Sequence, residues 1–239
     1  MPYYYYGIDW TYLILVLPCM IFAMIASSNV NSTFKKYSTQ HSLRRITGAE
    51  AARRVLQHNG VTGVRIERVS GKLTDHYDPK TNVIRLSDSV YDSTSTAAIG
   101  VAAHEAGHAV QYARDYAPIK LRAAIIPLTN FGSKLAMPLI LLGILLAAFG
   151  GFSTLLVDLG IAAFGLSFVF QLITLPVEFN ASRRAIQTID DAQLLTPEEQ
   201  RGARKTLRAA AMTYVAAMAV ALAQLIRLIM IFGNSRRRD

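Results

Sequence analysis

The sequence predicts an α+β membrane protein, mainly α-helical, with about four transmembrane helices and a small extramembrane unit built around a short sheet. Three observations carry that expectation. Of the 239 residues, 52% are hydrophobic and only 17% are charged, too apolar for an ordinary soluble domain. Four stretches match a bilayer core of about 30 Å, which takes roughly 20 helical residues to cross. Between the first and second of them lies a segment in which helix and strand signals alternate. The net charge of +9 does not point to nucleic acid. The basic residues form short clusters beside apolar runs, as topology determinants do, so the bilayer is the expected partner and nucleic acid is not. Cys19 is the only cysteine, so neither an internal disulfide nor a cysteine-based metal site can be built from this chain alone.

The expected spans are residues 12–26, 130–149, 154–175 and 212–232. Small residues after the first span (Ala26, Ser27, Ser28) resemble a signal-peptide cleavage site, but residues 1–11 contain no Lys or Arg. A positive n-region is missing, so the expectation is a retained span. Lys35, Lys36, Arg44, Arg45, Arg53 and Arg54 follow that span, which places the N-terminus outside and residues 27–129 in the cytoplasm. Spans two and three then form a hairpin with an outer turn at 150–153, and residues 176–211 return to the cytoplasm with six basic residues. The tail Arg236, Arg237 and Arg238 would fall outside, against the rule, unless the fourth segment is interfacial. Asp158 and Arg227 read as groups snorkelling near the outer surface, and Gln171 and Gln224 as helix-packing hydrogen bonders. The whole of 1–239 is expected to be one membrane-embedded domain.

Within residues 27–129, Thr47 followed by Glu50 predicts a capping box that opens a helix through about Gln57, stopped by Asn59 and Gly60. Val64, Ile66 and Val69 suggest a strand and residues 83–86 another, linked through the turn-rich stretch 78–82. Asp92, Ser93, Thr94 and Ser95 offer N-caps for a helix over about 97–114.

The chemistry sits on that helix. Residues 104–108 read His-Glu-Ala-Gly-His. Residues four apart on a helix share a face, so His104 and His108 can both turn an imidazole nitrogen to one metal ion. Glu105 projects beside them, where a carboxylate can take a proton from a water attacking a polarised carbonyl. Ala102, Ala103, Ala106 and Gly107 let other elements approach. The reading is a zinc site, one Zn2+ per chain, with Glu105 as the catalytic base.

A hydrolytic zinc usually has three protein ligands. The metzincin extension would need Gly at 111 and His at 114; the chain has Gln111 and Arg114. Among later acidic residues Glu178 is singled out, because the hairpin of two spans returns it to the side and depth from which His104 left. Its alternative role is an interfacial carboxylate paired with Arg183 or Arg184. Alternative third ligands are His41, His58 and His76, of which His76 is the hardest to dismiss.

The stretch "GKLTDHYDPKTNVIRLSDSVY", the motif "AAHEAGHAVQ", the hairpin and "LPVEFNASRRA" before a last span together resemble the YugP-like membrane zinc metallopeptidases. These are distant relatives of the HtpX-type gluzincin proteases, and the resemblance covers nearly the whole chain. It implies a zincin-like catalytic unit in which His104, His108 and Glu178 bind zinc and Glu105 is the base. It further implies peptide-bond hydrolysis in a bacterial cytoplasmic membrane, with misfolded or membrane-associated proteins as substrates and the site facing the cytoplasm. HtpX-type enzymes carry an Asp four residues after the ligand Glu, where this chain has Ser182; Asn180 is the alternative orienting residue. The same resemblance makes 82–86 a candidate edge strand for an extended substrate. The competing classes are a non-catalytic zinc-binding scaffold or sensor, which would have no use for Glu105, and a transporter, which would need more polar groups at the bilayer midplane.

Overall fold

The computed structural model describes residues 4, 5 and 8–233; the tail Arg236, Arg237 and Arg238 lies outside them. Two short strands, β1 (Tyr4–Tyr5) and β2 (Ile8–Asp9), pair antiparallel. A π-helical turn at Tyr12–Val16 leads into α1 (Leu17–Ser38). Next come α2 (Gly48–His58), β3 (Arg65–Val69), β4 (His76–Asp78), β5 (Val83–Ser87) and α3 (Thr96–Ala113). Three further helices follow, α4 (Ala117–Leu145), α5 (Gly151–Asp191) and α6 (Pro197–Gly233), with a 3-10 turn at Ala147–Phe149 between α4 and α5. This is the α+β, mainly helical membrane architecture that the sequence predicts.

The chain divides into two compact units. The first comprises Met1–Ile25, Leu121–Leu175 and Tyr214–Asp239. Four helical stretches, Tyr12–Ser38, Ala117–Leu145, Gly151–Asp191 and Pro197–Gly233, are long and apolar enough to cross a membrane; three of them contain an expected span whole, and Ala117–Leu145 holds the second span except for residues 146–149. In the most apolar part of each, no more than 28% of the residues are buried against protein. Leu128, Phe131, Leu141, Leu145 and Phe152 are exposed, a distribution suited to lipid rather than water. The helices outrun the expected spans: at 1.5 Å per residue, the 41 residues of α5 extend about 60 Å.

The turn between α4 and α5 falls at 146–150 rather than 150–153. Gly150 takes φ +58°, ψ −127°, a conformation closed to residues with a Cβ, and Ser153 Oγ donates to Gly143 O at 2.7 Å to close the reversal. Arg227 does not snorkel alone. Its guanidinium pairs with Asp9, Nε to Oδ2 at 2.9 Å, and lies 5.6 Å from the Tyr12 ring centre. Asp9 also accepts from Thr11 Oγ1 and the Tyr12 amide, so a partly buried ion pair joins the start of the first helical stretch to α6.

The second unit comprises Ala26–Lys120 and Pro176–Thr213. Its core gathers Val55 of α2, Ile84 and Leu86 of β5, Ile99 and Val110 of α3, and Ile189 and Leu194 near the end of α5, all 1% exposed or less. The sheet order is β3-β5-β4, with β5 parallel to β3 and antiparallel to β4. Strand β4 is absent from the sequence expectation because three residues are too few to show a two-residue alternation. Its presence places β5 at the centre of the sheet with both edges occupied. Residues 83–86 therefore do not form an edge strand, and the free edges belong to β3 and β4.

The caps follow local chemistry. Thr47 Oγ1 accepts from the Glu50 amide at 3.2 Å, but the Glu50 carboxylate turns to Arg53 and Arg54 instead of back to Thr47, so only half the expected box forms. A reciprocal box opens α6, where Glu199 Oε2 accepts from the Thr196 amide and Thr196 Oγ1 from the Glu199 amide. Of the four candidates before α3, Ser95 is the cap: its Oγ accepts from the Ala98 amide at 3.2 Å and the residue is fully buried. Ser95→Ala is therefore expected to cost about 1–2 kcal/mol, read as a lower unfolding midpoint in detergent, with Ser95→Thr recovering most of the loss.

Candidate metal centre

Helix α3 is lined with small residues where it meets the second part of α5. Gly107 is buried, and a Cβ built on it would stand 2.7 Å from the carbonyl oxygen of Ala181. That contact is far below van der Waals distance, so only glycine permits the two backbones to run this close. The approach brings three ligand atoms, one each from His104, His108 and Glu178, within 4.8 Å of one another. His104 Nε2 lies 3.2 Å and His108 Nε2 3.6 Å from the same oxygen, Glu178 Oε2. The imidazoles meet edge to face, with ring centres 4.7 Å apart.

These separations fit a small tetrahedral cation: with metal–ligand bonds of about 2.0–2.1 Å, ligand atoms in a tetrahedron lie about 3.3 Å apart. Two imidazoles and one carboxylate are also the donor types zinc accepts. The Glu178 side chain is 3% exposed, but those of His104 and His108 keep 14% and 11%. All three side chains are largely shielded, Glu178 the most and His104 the least.

Each ring has a partner at its other nitrogen. Ser182 Oγ lies 3.1 Å from His104 Nδ1, and Gln111 Oε1 lies 2.9 Å from His108 Nδ1. Ser182, the residue singled out from the sequence as a candidate orienting group, thus meets His104 with a neutral hydroxyl. Asn180 serves the other ring indirectly, through Gln111. Gln111 was visible in the sequence only as a residue that breaks the metzincin pattern. The signal for a role was a polar side chain three residues after His108 on an otherwise small, apolar helix face.

The remaining histidines lie elsewhere. His41 Nδ1 contacts Thr94 Oγ1, His58 stands 4.0 Å from Asp191, and His76 on β4 is exposed and contacts Thr74 O. Arg184 donates to Asn180. Glu105 is buried beside the cluster and its negative charge reaches His108. Among the described residues its carboxylate makes no hydrogen bond or ion pair.

The family described as "Putative neutral zinc metallopeptidase" matches residues 12–233. The chain belongs to that family. A curated relative, "Putative membrane protease YugP" of Bacillus subtilis (strain 168), is 46% identical over 225 residues, covering 94% of this chain and 98% of the relative. No solved structure matches the chain significantly. A zinc metallopeptidase family, four apolar helices and a His/His/Glu cluster able to hold an ion agree on a membrane-bound metallopeptidase.

Burial of the His108 ring lowers its pKa, but the hydrogen bond to Glu178, the charges of Glu105 and Glu178 and the hydrogen bond to Gln111 outweigh it. The net shift is upward from the ordinary value of 6.5. A raised folded-state pKa contributes stability that is fully present below 6.5 and lost as pH rises through the folded value. In chelator-treated protein the unfolding midpoint should therefore fall as pH rises above about 6.5, and Glu178→Gln should flatten that fall. A midpoint that instead rises with pH in chelator-treated wild type and variant alike would contradict the assignment.

Proposed function

We propose that this protein is a zinc-dependent endopeptidase of the gluzincin type that hydrolyses peptide bonds of membrane-associated or misfolded proteins at the cytoplasmic membrane surface. His104, His108 and Glu178 would hold one zinc ion per chain, and Glu105 would be the general base. The observation that carries this reading is the position of Glu105, a buried carboxylate beside the three converging groups that makes no hydrogen bond or ion pair among the described residues. Burying a carboxylate is costly unless it is paired or used, and a scaffold or sensor needs the ligands without it.

Bound at the three side chains, zinc supplies Lewis acidity that polarises a carbonyl oxygen and acidifies a water. The protein's share follows from its own groups. Glu178 brings one negative charge and the imidazoles none, so the ion keeps much of its charge. Glu105 accepts the proton of the attacking water on a carboxylate oxygen and passes it to the departing amine nitrogen. Ser182 and Gln111, each at an Nδ1 atom, would hold the rings with both Nε2 atoms turned toward Glu178, where the ion would bind.

The roles separate experimentally. Glu105→Gln should bind zinc as wild type does and lose cleavage of an unfolded model substrate, because an amide cannot take the proton. Alanine at 104, 108 or 178 should lose both zinc and cleavage, and His41→Ala and His58→Ala neither. Full zinc retention by Glu178→Ala together with its loss in His76→Ala would move the third ligand to His76. The cytoplasmic orientation is read from cysteine labelling in a Cys19→Ser background: intact cells should label Ala148→Cys, in the exposed turn near Ser153, and not Arg45→Cys, and the reverse pattern would invert the topology.

A further inference from the structure

An imidazole can ligate a metal through Nε2 only if its proton sits on Nδ1, and the hydrogen bond at Nδ1 decides which tautomer is present. At His108 that bond is the end of a chain of four side chains whose direction can be read from donor chemistry alone.

The chain starts at Arg184. A guanidinium only donates, and Arg184 Nε lies 2.7 Å from Asn180 Oδ1. That atom of Asn180 is therefore its carbonyl oxygen. The same oxygen receives Gln111 Nε2 at 3.0 Å, and Gln111 Nε2 also meets the main-chain carbonyl of Val177 at 2.8 Å. Two pure acceptors face one end of the Gln111 amide, so that end is the NH2 group and the other is the carbonyl oxygen. Gln111 Oε1 lies 2.9 Å from His108 Nδ1 and can only accept. Nδ1 must carry the proton, which leaves the Nε2 lone pair on the side of Glu178 Oε2.

Gln111 is fully buried. A buried amide left unsatisfied would cost about 1–3 kcal/mol, yet both ends of the Gln111 amide are matched. Turning the amide over would set its oxygen against two other oxygens while its NH2 faced Nδ1–H, so the amide is locked in one sense. A tie between α3 and α5 alone would be served by the two donated bonds and would not need Oε1 to face a histidine.

We infer that Gln111, locked by Asn180 and Val177 with Arg184 setting the sense of the chain, is the positioning residue that selects the metal-binding tautomer of His108. The inference rests on the reading of His108 as a zinc ligand. It also gives the two rings different support: a rotatable hydroxyl on His104, which either donates or accepts, and a one-way amide on His108.

The test uses the full-length protein in detergent and measures zinc affinity by chelator competition, with the visible absorption of the cobalt(II)-loaded protein as a second readout of ligand geometry. Gln111→Leu, close in volume but without polar atoms, should weaken zinc binding about 10- to 100-fold and change the cobalt spectrum. Asn180→Asp keeps an acceptor for both Arg184 and Gln111 and should bind zinc as wild type does, whereas Asn180→Leu should bind it more weakly. A merely structural role for position 180 would not separate those two variants. Wild-type zinc affinity in a folded Gln111→Leu protein overturns the inference. If Gln111→Leu does not fold, equal zinc loss in Asn180→Asp and Asn180→Leu overturns it instead. Wild-type zinc binding by His108→Ala would locate the failure in the ligand assignment and not in the relay.

Discussion

The close approach of α3 to the second part of α5 is the constraint on which the site depends. Gly107 leaves no Cβ to meet the Ala181 carbonyl oxygen, 2.7 Å from where that atom would be. With the backbones that close, two pairs of residues four apart face one another, His104 and His108 from α3, Glu178 and Ser182 from α5. His104 is then addressed at both nitrogens, by Glu178 at Nε2 and Ser182 at Nδ1. The glycine within the motif has no ligand role, yet its lack of a side chain sets the distance over which the ligands can converge.

Charge explains why such a cluster calls for a cation. Glu178 and Glu105 place two carboxylates against His108 in a buried setting. Their combined field favours positive charge at the centre, which in the metal-free protein takes the form of a proton held on His108 above its ordinary pKa. A divalent ion satisfies the same field more fully, so proton and metal compete for one place. The groups that orient the two rings, Ser182 and Gln111, are neutral. A carboxylate in either position would add negative charge and blunt the acidity that a bound metal could offer a substrate.

Different surroundings shape the two units. Along the four apolar helices many large side chains face outward and glycines allow close helix contacts, Gly143 against Val157 and Gly160 against Ile140, since apolar bulk gains little from burial when lipid is the solvent. In the other unit Ile84, Leu86, Ile99 and Ile189 are sealed inside, as the hydrophobic effect requires in water. Charge within the first unit is paired where Arg227 meets Asp9.

Sequence alone determined the features set by local chemistry. Apolar runs of bilayer length marked four spans, hydrogen-bonding side chains marked the starts of α2 and α3, and the four-residue spacing of His104 and His108 put both on one helix face. Glu178 was reachable by a topological argument, since a hairpin of two spans must return the chain. The capping box at Thr196 and Glu199 was equally legible and went unread. Tertiary structure alone decided what depends on partners distant in the chain: that β4 pairs with β5 and removes residues 83–86 from the sheet edge, that Arg227 meets Asp9, and that Gln111 faces His108 while Ser182, and not Asn180, faces His104. A hydrogen bond has no sequence period, because its partners are chosen by distance and direction after the helices have packed. No pattern around Gln111 could announce that its amide would be locked between Val177 and Asn180 on one side and His108 on the other.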